Sequence, residues 1–149
     1  MRLYIVTILL SIAFSLHGQE NCFSDCWSRF ENSALPFPQK NHEIIKQLLG
    51  CSAPDFETTA IDGDKIALHN LRGKVVVLNF WFTTCPPCIV ELPGLNKLVD
   101  EFGKSDSVVF LAIGRNTRDE ILDFISRRHF GYNQAISSES LQRAYCMLS

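Results

Sequence analysis

The chain has 149 residues, 46% of them hydrophobic and 20% charged, with a formal net charge of −2. That balance gives no basic surface for nucleic acid or for an anionic membrane, so neither is expected as a partner. The length suits one ordinary domain after a leader, and the six cysteines fit disulfide use in an exported chain.

The first stretch reads as that leader. Arg2 precedes an apolar run from Leu3 to Leu16, broken by Thr7, Ser11 and Ser15, and His17-Gly18-Gln19 follows. A basic start, a short apolar core and small or polar residues describe a signal peptide over 1–19. The run is short for a permanent membrane span, although an uncleaved anchor is the alternative. No cysteine stands where a lipoprotein signal needs one, because Gln19-Glu20-Asn21 precede Cys22.

Residues 20–50 form a cysteine-containing extension. Cys22 and Cys26 make a Cys-x-x-x-Cys pair. Haem attachment needs Cys-x-x-Cys-His, and a zinc site needs two further ligands that the local sequence does not supply. Structural disulfides remain, either between these two or from them to Cys51 and Cys146, and sequence leaves the pairing open. Trp27, Phe30 and Phe37 could cover a domain edge. Asn41 to Leu49 reads as a short helix stopped by Gly50.

The next elements alternate. Phe56–Ala60 and Lys65–Leu68 are short strands joined through Asp62-Gly63, a hairpin signal. Leu71-Arg72-Gly73-Lys74 turns into Val75-Val76-Val77-Leu78-Asn79-Phe80-Trp81-Phe82, a strand expected to be covered on both faces. A helix from about Pro86 places Leu92, Leu95, Leu98, Val99 and Phe102 at helical spacing. Pro93 lies inside it and should kink it, and Gly103 ends it. Val108–Ile113 is a second buried strand. Thr117-Arg118-Asp119-Glu120 is a capping box opening a helix with Ile121, Leu122, Phe124 and Ile125 inward, closed by Gly131. Asn133–Ile136 is a short strand and Leu141–Leu148 a last helical turn or two. Strand, helix, strand, helix implies an α/β fold with parallel strands.

Cys85-Pro86-Pro87-Cys88 falls where the strand gives way to the helix. A helix N-terminus offers unpaired N–H groups and a positive dipole end, so Cys85 should ionise more easily than a free cysteine. Its thiolate can attack a disulfide, and Cys88, one turn later, can resolve the mixed disulfide. Pro86 is compatible with the first helical turn. Glu91, a turn beyond Cys88, can share its face; a partly buried carboxylate there could take a proton from Cys88.

Ala53-Pro54-Asp55-Phe56, Leu71 through Trp81, Cys85-Pro86-Pro87-Cys88 and Glu91-Leu92-Pro93 together resemble the TlpA/ResA-like branch of the thioredoxin superfamily. The resemblance runs from about Cys51 to the C-terminus. It implies a thioredoxin-like fold with an N-terminal β-hairpin, used as an exported, periplasmic or envelope thiol–disulfide oxidoreductase. Such proteins commonly reduce protein disulfides, including those of apocytochromes awaiting haem, and draw electrons from a membrane or exported thiol donor. By this resemblance Cys85 attacks, Cys88 resolves, and Glu91 modulates proton transfer. Trp81, Pro86 and Pro87 surround the pair. Thr84 departs from the pattern, standing where a second tryptophan is common. No cofactor and no metal are implied.

The family's fold normally continues with a cis-proline loop, two antiparallel strands and a last helix. Here no proline follows Pro93 and the sequence ends at Ser149. Residues 51–149 are therefore expected to form an incomplete thioredoxin-like domain, with an open edge beside the strand that carries the thiols.

Three other readings stand beside this one. A peroxide reductase is suggested by Thr83 or Thr84 before Cys85, although Thr83 lies one place too near for a Thr-x-x-Cys motif. A soft-metal module would use both thiolates, but Met147 and the histidines are remote in sequence. The last is an inactive, truncated fragment. His17, His42, His69 and His129 sit in no motif, and Arg115 reads as a solvated loop charge.

Overall fold

The computed structural model describes residues 46–145, together with residues 28, 32, 34 and 43. The leader, Cys22, Cys26, the aromatics Trp27, Phe30 and Phe37, and Cys146 lie outside the described residues. The chain divides after Pro54 into two units, and the second carries the sheet. In the first, residues 46–48 are helical and Gly50 follows with φ +83°, a left-handed conformation that stops the helix. Cys51 is disulfide-bonded.

The second unit runs β1 (Glu57–Ala60), β2 (Lys65–Ala67), a 3-10 turn (Leu68–Leu71), β3 (Val75–Trp81), α1 (Pro86–Phe102), β4 (Val108–Gly114), α2 (Arg118–Arg127), β5 (Asn133–Ile136) and α3 (Glu139–Ala144). The hairpin forms as the Asp62-Gly63 pair predicts, with Gly63 at φ +104°. The strands order as β2-β1-β5-β4-β3. β3, β4 and β5 are parallel, and β1 runs antiparallel to both β2 and β5. The parallel part follows from the two helical crossovers, which return the chain to the same end of the sheet.

Alternation along the strands builds two cores. Val77 and Trp81 of β3 with Phe110 and Ala112 of β4 face one side, against Leu92 of α1 and Ile121 and Phe124 of α2. Val76, Leu78 and Phe80 with Leu111 and Ile113 face the other, against Phe56, the 3-10 turn and Leu141 of α3. β3 and β4 are apolar on both faces because each face has its own cover.

Several expectations need correction. β3 supplies both cores, yet only Trp81 in it is buried and Val75 is 62% exposed. Its outer edge is open among the described residues, as expected for the strand that carries the thiols, so its side chains are covered from the faces and not from the side. In α1, Leu92 is buried and Leu95 and Val99 pack against the core, while Leu98 and Phe102 lie to the side of that face and are exposed. α2 ends at Arg127, four residues before Gly131, where Arg128 turns to an extended conformation. α1 continues through Pro93, and Gly103 caps it with its N–H on the Val99 carbonyl.

Candidate active site

The site lies at the C-terminal end of β3. Cys85 is extended, at φ −85° and ψ 104°, and caps α1. Its N–H donates to the Phe82 carbonyl at 3.0 Å, and its own carbonyl accepts from the Ile89 N–H at 3.1 Å. Pro86 and Pro87 occupy the first helical positions, where a missing N–H leaves no bond unmade. The N–H of Cys88 donates to Cys85 Sγ at 3.3 Å. The sulfur thus lies at the helix N-terminus and receives one backbone donor, the Cys88 N–H, because Pro86 and Pro87 have none and the Ile89 N–H goes to the Cys85 carbonyl.

Cys85 and Cys88 are joined in a disulfide, with Cα atoms 5.3 Å apart. Within it Cys85 is buried, 5% exposed, while Cys88 is half-buried. Thr84, Pro86 and Pro87 are exposed around the pair. Glu91 is also exposed, so the partly buried carboxylate expected there is not what the structure has: its stretch of α1 turns away from the buried face marked by Leu92. The structure keeps Glu91 one turn from Cys88 but does not bury it against the disulfide.

The loop between β3 and α1 is held from β4 and α2. Trp81 packs at 4.9 Å from Phe124 and 5.3 Å from Phe130, centroid to centroid. The carbonyl of Trp81 accepts from the Arg115 N–H at 3.1 Å. The Thr83 N–H donates to Asn116 Oδ1 at 2.7 Å, and Asn116 Nδ2 donates to Glu120 Oε2 at 3.3 Å. Glu120 in turn closes the predicted capping box, accepting from the N–H and the hydroxyl of Thr117. These bonds, first from the Thr117 backbone, then from its hydroxyl and from Asn116, hold the Glu120 carboxyl below its ordinary value. Gly114 permits the approach of α2. A Cβ there would come within 2.6 Å of Ile121 Cδ1.

Asn116 and Phe124 are functional neighbours that sequence reasoning missed. The helical spacing marks Phe124 only as a core residue. The tie from Asn116 to Thr83 spans 33 positions, and nothing in local spacing marks it. Among the described residues no group of three or more His, Cys, Asp or Glu could hold a metal ion, and no helix is long and apolar enough to cross a membrane.

The sequence model of the AhpC/TSA family matches residues 49–148. The chain belongs to the AhpC/TSA family. Among curated members similar to it, the thiol-disulfide oxidoreductase ResA of Bacillus thuringiensis (strain Al Hakam) is 36% identical over 92 residues, 61% of this chain and 53% of that protein. The thioredoxin-like protein YneN of Bacillus subtilis (strain 168) is 43% identical over 60 residues, 40% of this chain and 35% of that protein. The chain thus spans about half the length, or less, of these relatives. Among solved structures, a Bacteroides vulgatus protein assigned as a thiol-disulfide oxidoreductase superposes with a TM-score of 0.60 at 26% identity, over 67% of this chain and 72% of that one. A thiol:disulfide interchange protein of the thioredoxin family from Chlorobium tepidum TLS gives a TM-score of 0.54 at 26% identity, over 62% and 63%. The AhpC/TSA chain described here has the thioredoxin-like α/β fold that the sequence resemblance implied.

Proposed function

We propose that the chain is an exported thiol–disulfide oxidoreductase that reduces disulfides of other proteins through Cys85 and Cys88. The observation that carries this reading is the Cys85–Cys88 disulfide, placed at a helix N-terminus at the end of a parallel strand. The relatives' names support the activity, and the apolar run from Leu3 to Leu16 supports export to the periplasm or envelope.

In the reduced chain the Cys85 thiolate attacks one sulfur of a substrate disulfide. A mixed disulfide forms and the other substrate sulfur leaves as a thiolate, which takes up a proton. Cys88, deprotonated, then attacks Cys85 Sγ and releases the second substrate thiolate. The substrate gains two electrons and two protons, and the chain is left with the intramolecular disulfide seen here. A membrane or exported dithiol returns it to the reduced form. Glu91, exposed one turn along α1, is the group proposed to influence the proton on Cys88.

The test is reduction of a model protein disulfide by the full chain with dithiothreitol as donor, beside a Cys85→Ser, Cys88→Ser double variant. Near-UV circular dichroism confirms that both are folded. A rate well above dithiothreitol alone that collapses in the double variant supports the reading. A folded chain without that rate overturns it, as does a chain that does not fold. Peroxide turnover in place of disulfide reduction favours a peroxide reductase.

A further inference from the structure

We infer that a groove beside the disulfide receives a carboxylate carried by the substrate segment next to the half-cystine under attack, and that Arg128 is the receiving cation. This rests on the oxidoreductase reading above and adds to it a substrate class, namely disulfides flanked by acidic residues. A cavity of about 420 Å³ is lined by Thr83, Thr84, Asp123, Phe124, Arg127 and Arg128, with Glu120 also in its wall. Thr83 and Thr84 immediately precede Cys85. A polypeptide with its sulfur at Cys85 advances about 3.3–3.6 Å per extended residue. In the inferred complex a side chain one or two residues from the substrate cysteine lies in this groove, whose wall begins at Thr84, next to Cys85.

Of the four charged side chains in the groove wall, Asp123 and Arg127 neutralise each other, while Glu120 and Arg128 have no partner of opposite charge among the described residues. Arg127 is paired with Asp123 one turn back on α2. The Glu120 carboxylate is occupied by Thr117 and Asn116. Arg128 makes no ion pair among the described residues; its guanidinium lies 5.2 Å from the centroid of the Phe124 ring. Phe124 is buried and fixed in turn against Trp81. A stacked guanidinium keeps its in-plane N–H donors available, and their fork matches the two oxygens of a carboxylate. The groove thus offers one cation without a carboxylate partner among the described residues, stacked on a buried ring, while the Glu120 carboxylate in the same wall is turned to the donors of Thr117 and Asn116. A basic segment would meet that cation and be disfavoured; a neutral one would leave it without a partner.

The experiment compares two peptides, each with one intrachain disulfide, that carry either Glu or Gln on both sides of the half-cystines. The full chain reduces them with dithiothreitol as donor, and bis(2-hydroxyethyl) disulfide serves as a small neutral substrate. The expected result is a KM about three- to five-fold lower for the Glu peptide, the size of an exposed charge pair, with kcat alike and the difference shrinking in high salt. Arg128→Glu reverses the preference with near-UV circular dichroism unchanged, and Arg128→Lys keeps only part of it. Lys104→Ala, beyond the far end of α1, leaves the preference as it was. Equal KM values for the two peptides, or a preference that survives Arg128→Glu, overturn the groove assignment while turnover of the neutral disulfide upholds the oxidoreductase reading. No turnover of any disulfide overturns both.

Discussion

Asn116 shows how much of the site depends on one side chain that carries no chemistry. Its Oδ1 accepts the Thr83 N–H at 2.7 Å, and its amide passes the tie on to Glu120 at 3.3 Å. Replacing it with alanine leaves a half-buried N–H unpaired, which costs about 1–3 kcal/mol, and it frees the loop that leads to Cys85. Asn116→Ala should therefore lower the urea midpoint and raise the alkylation rate of Cys85 in the reduced chain. Asn116→Asp, which keeps the acceptor for Thr83 but sets a second carboxylate against Glu120, should restore the slower rate only in part. Equal rates in all three proteins would remove Asn116 from the site. Glu91 makes the opposite case, a residue with a proposed role and little structural support. It is exposed, and only its position one turn from Cys88 connects it to the thiols. An anionic neighbour opposes thiolate formation, so Glu91→Gln should move the rising limb of the pH–rate profile to lower pH. A profile that superposes on the wild type would mean that the carboxylate takes no part in proton transfer.

At the scale of elements, the strands and the two long helices were legible because each is written in local periodicity. Alternation along β3 and β4 splits their side chains between two cores, and the Thr117–Glu120 box opens α2 where it was expected. Helix ends and the depth of burial were less legible. Gly131 is a plausible stop by composition, but α2 ends earlier, and in α1 the core contact runs through Leu92, Leu95 and Val99 and leaves Leu98 and Phe102 exposed beside it. The position of β3 is the clearest example. Its apolar run fits a strand covered on both faces and says nothing of its edges; the open edge beside it was expected from the family resemblance alone, and among the described residues it borders the sheet, with β4 on one side only. Pairing partners are a long-range property that a strand's own residues do not encode. The consequence can be tested. Val75, 62% exposed at the start of β3, adds apolar surface to an unpaired edge, which favours edge-to-edge association. Val75→Lys should slow the growth of light scattering in concentrated solutions of the full chain and change folding stability by no more than about 0.5 kcal/mol. Unchanged scattering would show that association, if any, proceeds through another surface.

For the second unit as a whole, two exposed carboxylates tie elements that no strand pairing connects. Asp55 accepts from the backbone N–H groups of Phe56 and His69, each at 3.1 Å, and meets the His69 ring at 3.0 Å, fastening the start of β1 to the 3-10 turn. Glu120 fastens the start of α2 to Asn116, which holds the loop leading to Cys85. Desolvation pushes the Asp55 carboxyl up, but the His69 ring and the backbone donors outweigh it, and the group stays below its ordinary value of 3.8. The donors of Thr117 and Asn116 hold Glu120 below its ordinary value of 4.5. A lowered carboxylate pKa means that the unfolded chain binds the proton more tightly than the folded one. Each group's contribution is therefore fully present above its ordinary value and is lost as pH falls through the folded value. Tyr145 acts at the other end of the scale. Burial, helped by the charge of Asp55, pushes its phenol up to about 12, so the stability tied to its neutral form is lost as pH rises from 10 toward that value. Urea midpoints of the wild type, Asp55→Asn and Glu120→Gln should accordingly differ most near neutrality, with both variants the less stable. The gaps should close as pH falls below about 4, where the wild-type carboxyls protonate and become neutral like the amides that replace them. Gaps that stay constant across that range would show that the two side chains act through shape and neutral hydrogen bonding, and that the acid limb of stability arises elsewhere in the chain.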